Sequence, residues 1–485
     1  MKKNLIYSVL GVIFQTLFPL IVYPYITRVL GVSNLGEYNL YTSTIGYLAL
    51  FSGFGISLYG TKEIGKRKDD KQSYSQVFGE LVSINLILSA VVYLFVFILI
   101  FFSESYQNYK LFLITSVTIV GNAVGAEYLF VALEKQQFML IRNIIFKILS
   151  LIMIFLFVHD EGDLLEYAII MLISTVGVSV TNIINYYNKI DWRSINFKKI
   201  YLKSYLFPLF QVFIMDVLIH YYGMMDIVIL GNMDSTESVG YYSVASKIYI
   251  LSYGILASTA VPLLPRAAYY IEHHLQNEYD TMIQRCYDIY LLIIAFSSFA
   301  LFFYAEDIIV LISGEAFKSG ALALKFFAPV LLFSSFCNFF VFEVFYPINK
   351  TRFILIALSS SIVLNLFLSW ALIPILSFVG AAIAFLVSYI YLFVYFVVGG
   401  RKELPAYKGH LDIVKDLIGI LLCYALSMYM RNTSLHFLIQ LGLCSVTFVC
   451  LELAIKNRTA LYFRNLIIFK IKNLSKMFVS DKNSF

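Results

Sequence analysis

The sequence predicts an all-α integral membrane protein of about fourteen transmembrane helices. Three observations carry this. Hydrophobic residues make up 60% of the 485 residues and charged residues only 14%. The mean hydropathy is +0.80, well beyond what a soluble domain tolerates. Apolar segments of about twenty residues recur from one end of the chain to the other, each long enough to cross ~30 Å of hydrocarbon.

Taken between polar breaks, the first seven spans fall near 5–27, 38–59, 77–102, 109–133, 143–158, 165–187 and 205–230. The second seven fall near 239–262, 286–304, 324–346, 354–373, 378–398, 416–430 and 437–455. The opening Met1-Lys2-Lys3 and the apolar run to Thr27 are too long for a signal peptide and lack a small-residue cleavage site, so they are expected to stay as the first span. No soluble domain is left over. The outer connections are short and acidic, as in His159–Asp163 and Asn232–Glu237.

The net charge of +6 reflects topology. When alternate connections are assigned to one side, that side and the tail hold 30 of the 36 Lys and Arg residues, and the other side holds 5. The positive-inside rule then puts both termini in the cytoplasm. This accounts for the basic runs without nucleic acid. The tail from Lys456 alternates cations with Ile, Leu and Phe, a pattern for an amphipathic helix on the inner membrane surface.

The chain also repeats itself. Leu30-Gly31, Gly36 and Tyr38 after the first span return as Leu230-Gly231, Gly240 and Tyr242 after the seventh. Lys135, Phe138, Leu140 and Ile141 return as Lys350, Phe353, Leu355 and Ile356. Residues 1–204 and 205–400 therefore read as parallel six-helix repeats, a common transporter design, with 401–485 as an added pair of spans and a basic tail.

A catalytic or metal site is not visible. The six histidines form no H-x-x-x-H pair, and the five cysteines show no C-x-x-C spacing, so they read as packing residues. Gly53 and Gly55 lack the strand and third glycine of a dinucleotide fingerprint. The informative residues are charges in or at the mouths of spans, because each costs about 2.5–3.5 kcal/mol at a helix centre unless paired or hydrated. They are Arg28, Glu127, Asp216, Asp226, Lys247 and Glu343. Cations at such depth line polar pathways, which favours function for Arg28 and Lys247; pairing or snorkelling is the simpler account of Glu127 and Glu343. Asp216 and Asp226, ten residues apart, lie about 80° apart around one helix and can border one cavity. Asp226 and Lys247 sit at similar depth, so an ion pair is expected. Pro19 and Pro24 are expected to bend the first span just before Arg28.

On these residues the chain resembles the polysaccharide transporter family of the multidrug/oligosaccharidyl-lipid/polysaccharide exporter (MOP) superfamily, and within it the Wzx-type flippases. The resemblance runs over nearly the whole length. It rests on Tyr23-Pro-Tyr-Ile-Thr-Arg-Val-Leu-Gly31 leading to Gly36-Glu-Tyr38, on Asp226-Ile-Val-Ile-Leu-Gly231 leading to Gly240-Tyr-Tyr-Ser-Val-Ala-Ser-Lys247, and on Gly380-Ala-Ala-Ile-Ala384.

It implies two six-helix lobes around a central cavity, a MATE-like fold, and alternating access. The implied cargo is an oligosaccharide joined by pyrophosphate to undecaprenol, bound for capsule, O-antigen or similar polymers. The implied place is the bacterial cytoplasmic membrane, with membrane lipid and other polysaccharide-assembly membrane proteins as partners. Arg28 and Lys247 match the family's cations and are expected to meet the pyrophosphate. Asp216 or Asp226 is expected to couple transport to H⁺ or Na⁺, with no other cofactor and no enzymatic activity. The N-terminal lobe is expected to hold few other cations deep in its spans. The rival readings are a lipid II flippase and a cation-coupled drug exporter, and more distantly a membrane polymerase or ligase, against which the short acidic outer loops argue.

Overall fold

A computed structural model of the chain describes residues 2–195, 202–257, 263–404, 410–433, 435–455, 457, 460 and 461. The described elements are helices. In chain order they are α1 Lys2–Gly53, α2 Ile56–Gly65, α3 Lys71–Phe102, α4 Tyr109–Gly125, α5 Glu127–Ala132, α6 Gln136–Phe157, α7 Leu164–Tyr187 and α8 Leu202–Met233. Then come α9 Thr236–Ala257, α10 Leu264–Glu272, α11 Gln276–Phe303, α12 Ala305–Ser313, α13 Ala321–Phe339, α14 Thr351–Gly399, α15 His410–Met430 and α16 Phe437–Ala454.

Among the described residues nine helices are long and apolar enough to cross a membrane. One of them, α14, has 49 residues, about 74 Å at 1.5 Å per residue, and turns at Ser377, where φ is 55°. It therefore accounts for two spans. The 52 residues of α1 divide in the same way at Gly31, with φ 75°. With these two counted twice and with α8 and α9, each of the fourteen expected spans falls on a helix.

The break in α1 comes at Gly31 and not at the prolines. Pro19 and Pro24 lie inside the helix, and Gly31 holds the non-helical backbone, because a proline keeps a helical φ while only glycine enters the left-handed region without strain. Several helices start earlier than hydropathy indicated: α3 at Lys71, α6 at Gln136, α11 at Gln276 and α15 at His410. Their first turns are polar, and caps such as Asp70, which accepts from the amides of Gln72 and Ser73 at 3.1 and 3.2 Å, carry the helix beyond its apolar stretch.

The inner repeat anchors fold alike. Glu134 and Asn349 both take positive φ, 55° and 59°. The next amide reaches five residues back in each case, from Lys135 to the Phe130 carbonyl at 2.9 Å and from Lys350 to the Phe345 carbonyl at 3.0 Å. This is a Schellman closure of one helix followed at once by another.

The chain divides into two compact units. The first comprises Met1–Ala245 with Ile309–Ala323 and Ile362–Ala384. In it α1 packs against α3, α4, α6 and α8, and α7 against α4 and α6. The two glycines of the outer repeat meet here. A Cβ on Gly36 would lie 1.7 Å from the Thr236 carbonyl oxygen, and one on Gly240 would lie 2.3 Å from that of Val32. Hydrogen bonds flank this crossing, Ser33 with Thr236 at 2.8 Å and Asn39 to Ser243 at 2.9 Å.

The second unit comprises Ser246–Ile308, Leu324–Ser361 and Phe385–Phe485. There α15 and α16 pair and α15 rests on α11; the hydroxyl of Tyr304, just past α11, donates to Ser427 of α15 at 2.9 Å, and Phe296 of α11 stacks on Phe448 of α16 at 5.0 Å. All five cysteines are free. Apart from Asn457, Ala460 and Leu461, the tail from Lys456 that was expected to lie on the membrane surface is outside the described residues.

Candidate substrate cavity and ion site

Arg28 follows three helical turns rich in apolar residues and lies just before the Gly31 break. Its guanidinium donates to the carbonyls of Leu311 at 2.6 Å, Ile312 at 3.2 Å, Val310 at 3.3 Å and Pro24 at 2.6 Å. It thus closes the C-terminal end of α12, where carbonyls lack intrahelical donors and a cation is favoured. The side chain nonetheless keeps an exposed edge.

Asp226, on α8, is 3% exposed. The Tyr242 hydroxyl donates to Oδ2 at 3.0 Å and the Ser369 hydroxyl to Oδ1 at 3.5 Å, with Asn365 beside them. Its partners are neutral donors, where the sequence had pointed to a lysine. A carboxylate ringed by hydroxyls and an amide is an oxygen-rich pocket of the sort that takes a proton or a small hard cation. Asp216, two to three turns earlier on the same helix, is half-buried. Lys247, in the second unit, is exposed on α9.

Glu343 is fully buried on a stretch of π-helix, Phe340–Phe345. Among the described residues no group of three His, Cys, Asp or Glu side chains converges to hold a metal ion.

The structure adds a site that the sequence reading missed. Between α4, α6 and α7 lies a cavity of about 230 Å³ lined by Asn122, Glu127, Asn143, Lys147, Ser174, Thr175, Ser179 and Asn182 with few apolar neighbours. A second cavity of about 200 Å³ shares Asn122 and Thr175 with it and continues past Thr42 of α1 and past Thr115 and Thr118 of α4. Behind the lining stands Arg142, 4% exposed, counted from the sequence as a loop cation.

The Arg142 guanidinium donates to Glu127 Oε1 and to Asn143 Oδ1, both at 2.9 Å, and also to Asn182. Asn182 in turn donates to the Gly125 carbonyl at 2.8 Å. That carbonyl is available because Ala126, with φ 40°, breaks the helix between α4 and α5. The Phe138 ring covers the guanidinium at 5.6 Å, and the Lys147 ammonium stands over the Phe18 ring at 4.3 Å. The expectation of few deep cations in the N-terminal spans is therefore corrected, since α6 carries two. Glu127, with 51% of its side chain exposed, is paired to Arg142, as the structural account of it required.

The second unit holds a cavity of different character, about 530 Å³, walled by Tyr287, Phe333, Phe336, Phe340 and Phe393 with Arg401 at the rim.

Helices that span a membrane, a chain of polar cavities sunk among them, and a buried carboxylate among hydroxyls make up the build of a polytopic membrane transporter. The chain belongs to the polysaccharide biosynthesis protein family, whose model matches residues 1–270. It is 22% identical over 392 residues to the protein named "Putative O-antigen transporter" of Escherichia coli (strain K12), covering 80% of this chain and 94% of that one. It is 26% identical over 187 residues to the protein of the same name from Shigella dysenteriae, covering 39% and 46%. Among solved structures it shares its fold with the lipid II flippase MurJ in an inward closed conformation, with a TM-score of 0.73 at 17% identity over 96% of this chain and 100% of that one. It shares it also with an inward-facing multidrug resistance MATE family transporter of the MOP superfamily, with a TM-score of 0.61 at 17% identity over 82% and 97%. The fold is thus the one that MurJ and this MATE transporter share.

Proposed function

We propose that this chain flips an oligosaccharide linked by pyrophosphate to undecaprenol across the cytoplasmic membrane of a bacterium, for assembly of a surface polysaccharide. The observation that carries the reading is the pair of adjoining cavities that bring hydroxyl, amide and charged side chains from Thr42 to Asn182 together within membrane-spanning helices, joined to membership of the polysaccharide family. The lining hydroxyls donate to carbonyls of their own helices, as Thr42 does to Tyr38 at 2.8 Å and Thr175 to Met171 at 3.1 Å, which leaves their oxygen lone pairs to accept from sugar hydroxyls. The isoprenoid chain can stay in lipid or lie in the aromatic cavity of the second unit.

A pyrophosphate entering such a path needs cations. Arg28 and Lys247 are assigned to it from the outer half of the membrane, and Lys147 serves the inner approach. Residues 1–204 and 205–400 act as two lobes that exchange inward-facing and outward-facing states. The glycine crossing at Gly36 and Gly240 is the seam that closes the outer side. Asp226, with Asp216, couples the exchange to H⁺ or Na⁺. Both termini lie in the cytoplasm.

Purified protein in vesicles loaded with an undecaprenyl-pyrophosphoryl oligosaccharide tests this. Lectin access to the saccharide should rise many-fold faster than in protein-free vesicles. Arg28→Ala and Lys247→Ala should each remove most of that rate at normal abundance, and Arg28→Lys should keep part of it, since lysine retains the charge and loses the bidentate fork. Flipping no faster than in empty vesicles would sink the reading. Normal rates in both alanine variants would move the phosphate site elsewhere.

A further inference from the structure

Two carboxyl groups that transport of the saccharide leaves unused face one another across α15 and α16. Glu452, near the end of α16, is fully buried, and neither of its carboxyl oxygens is hydrogen-bonded. Its polar neighbours are Asn457 and Asp416. A Cβ on Gly419 would fall 2.5 Å from Glu452 Oε1, so the carboxyl lies directly against the α15 backbone. Gly419 is three residues beyond Asp416 and on the same helix face. Asp416 is 4% exposed and receives a 2.8 Å hydrogen bond from Asn457 Nδ2.

The charged and titratable groups around the pair are mostly acidic. From α11 comes Asp288, 5% exposed. From α15 come Asp412, Lys415 and Cys423, and Lys415 is already bonded to Asp412 at 2.9 Å. With every acid ionised, four negative charges would surround one lysine in a bundle interior, where an unpaired buried charge is strongly disfavoured. Two carboxyls at one site resolve this by holding a proton between them. No three of these groups converge at metal-ligand spacing among the described residues.

We propose that Asp416 and Glu452 form a proton-binding pair that locks α15 to α16, separate from the ion site at Asp226. With the proton bound the two helices close on neutral contacts, including Ser427 with Cys444 at 3.0 Å. Loss of the proton puts like charges into the seam and loosens it.

Infrared spectroscopy of the purified full chain tests this without reference to any substrate. A protonated-carboxyl C=O band should persist at neutral pH, shift in D₂O, and lose one carboxyl's intensity in Glu452→Gln and, independently, in Asp416→Asn. Absence of the band from the unaltered protein at neutral pH would overturn the proposal with no variant needed. So would a band that either variant leaves intact, or one that added NaCl removes at constant pH, which would mean that the pair binds sodium.

Discussion

Gly36→Ala places a methyl group where the chain has no room. Its Cβ would sit 1.7 Å from the Thr236 carbonyl oxygen and 2.8 Å from the Gly240 amide nitrogen, whereas ordinary contact begins at 3.4 Å. Both obstacles are backbone, so no side chain can swing aside, and the helices must part by about 1.7 Å. Overpacking of this kind costs about 1–3 kcal/mol. The separation also stretches the Ser33–Thr236 and Asn39–Ser243 hydrogen bonds, each worth about 0.6 kcal/mol between membrane helices. The crossing therefore loses about 2–4 kcal/mol, and the lower figure already shifts an equilibrium about thirty-fold. Disulfide formation between Ser33→Cys and Thr236→Cys in native membranes reads this directly, because the two hydroxyls stand 2.8 Å apart. Gly36→Ala should slow the cross-link at least ten-fold, while Gly65→Ala, with nothing within 4 Å of its Cβ, should not. An unchanged cross-linking rate in Gly36→Ala would refute both the close crossing and its assignment as the outer seam.

Two further outcomes are expected. Cysteines at Ser103 and Ser235 should react with an impermeant thiol reagent added outside intact cells and those at Ser73 and Ser194 should not; the reverse pattern would overturn the orientation. Asp226→Asn keeps the volume and the hydroxyl neighbours Tyr242 and Ser369 but removes the charge that a proton or Na⁺ would neutralise, so saccharide flipping should lose its response to an imposed ion gradient. A wild-type rate indifferent to collapse of both gradients would remove Asp226 from any coupling role.

The spans were legible because the cost of burying a backbone without hydrogen bonds leaves helices as the form that crosses lipid here, and because runs such as Leu81–Phe102 announce themselves by composition. The repeat anchors were legible for a similar reason. Glycines 36 and 240 are fixed by backbone approach, and Lys135 and Lys350 follow matching left-handed closures, so short motifs carried structural weight. The partners of Arg28 were not legible. They are carbonyls more than 280 residues away, and no local pattern records which helix end will arrive beside a given cation.

Arg142 is the instructive miss, because its signal was present and hydropathy averaged it away. A window that asks only how apolar a stretch is starts the span at Asn143 and leaves Arg142 in the connection that follows Lys135. Read at 100° per residue, Arg142, Asn143 and Lys147 share one face of α6, with Phe146 between them. Ser174, Thr175, Ser179 and Asn182 trace a comparable stripe on α7, and Asn122 and Gly125 do so on α4. Three membrane-crossing helices that follow one another, with the short α5 between the first two, each carry a polar stripe within or at the end of an apolar span, and turning those stripes toward one another keeps them out of lipid. The cavity lined by these residues follows from that constraint, and its position was readable wherever polar residues recurred at three- and four-residue spacing inside a span.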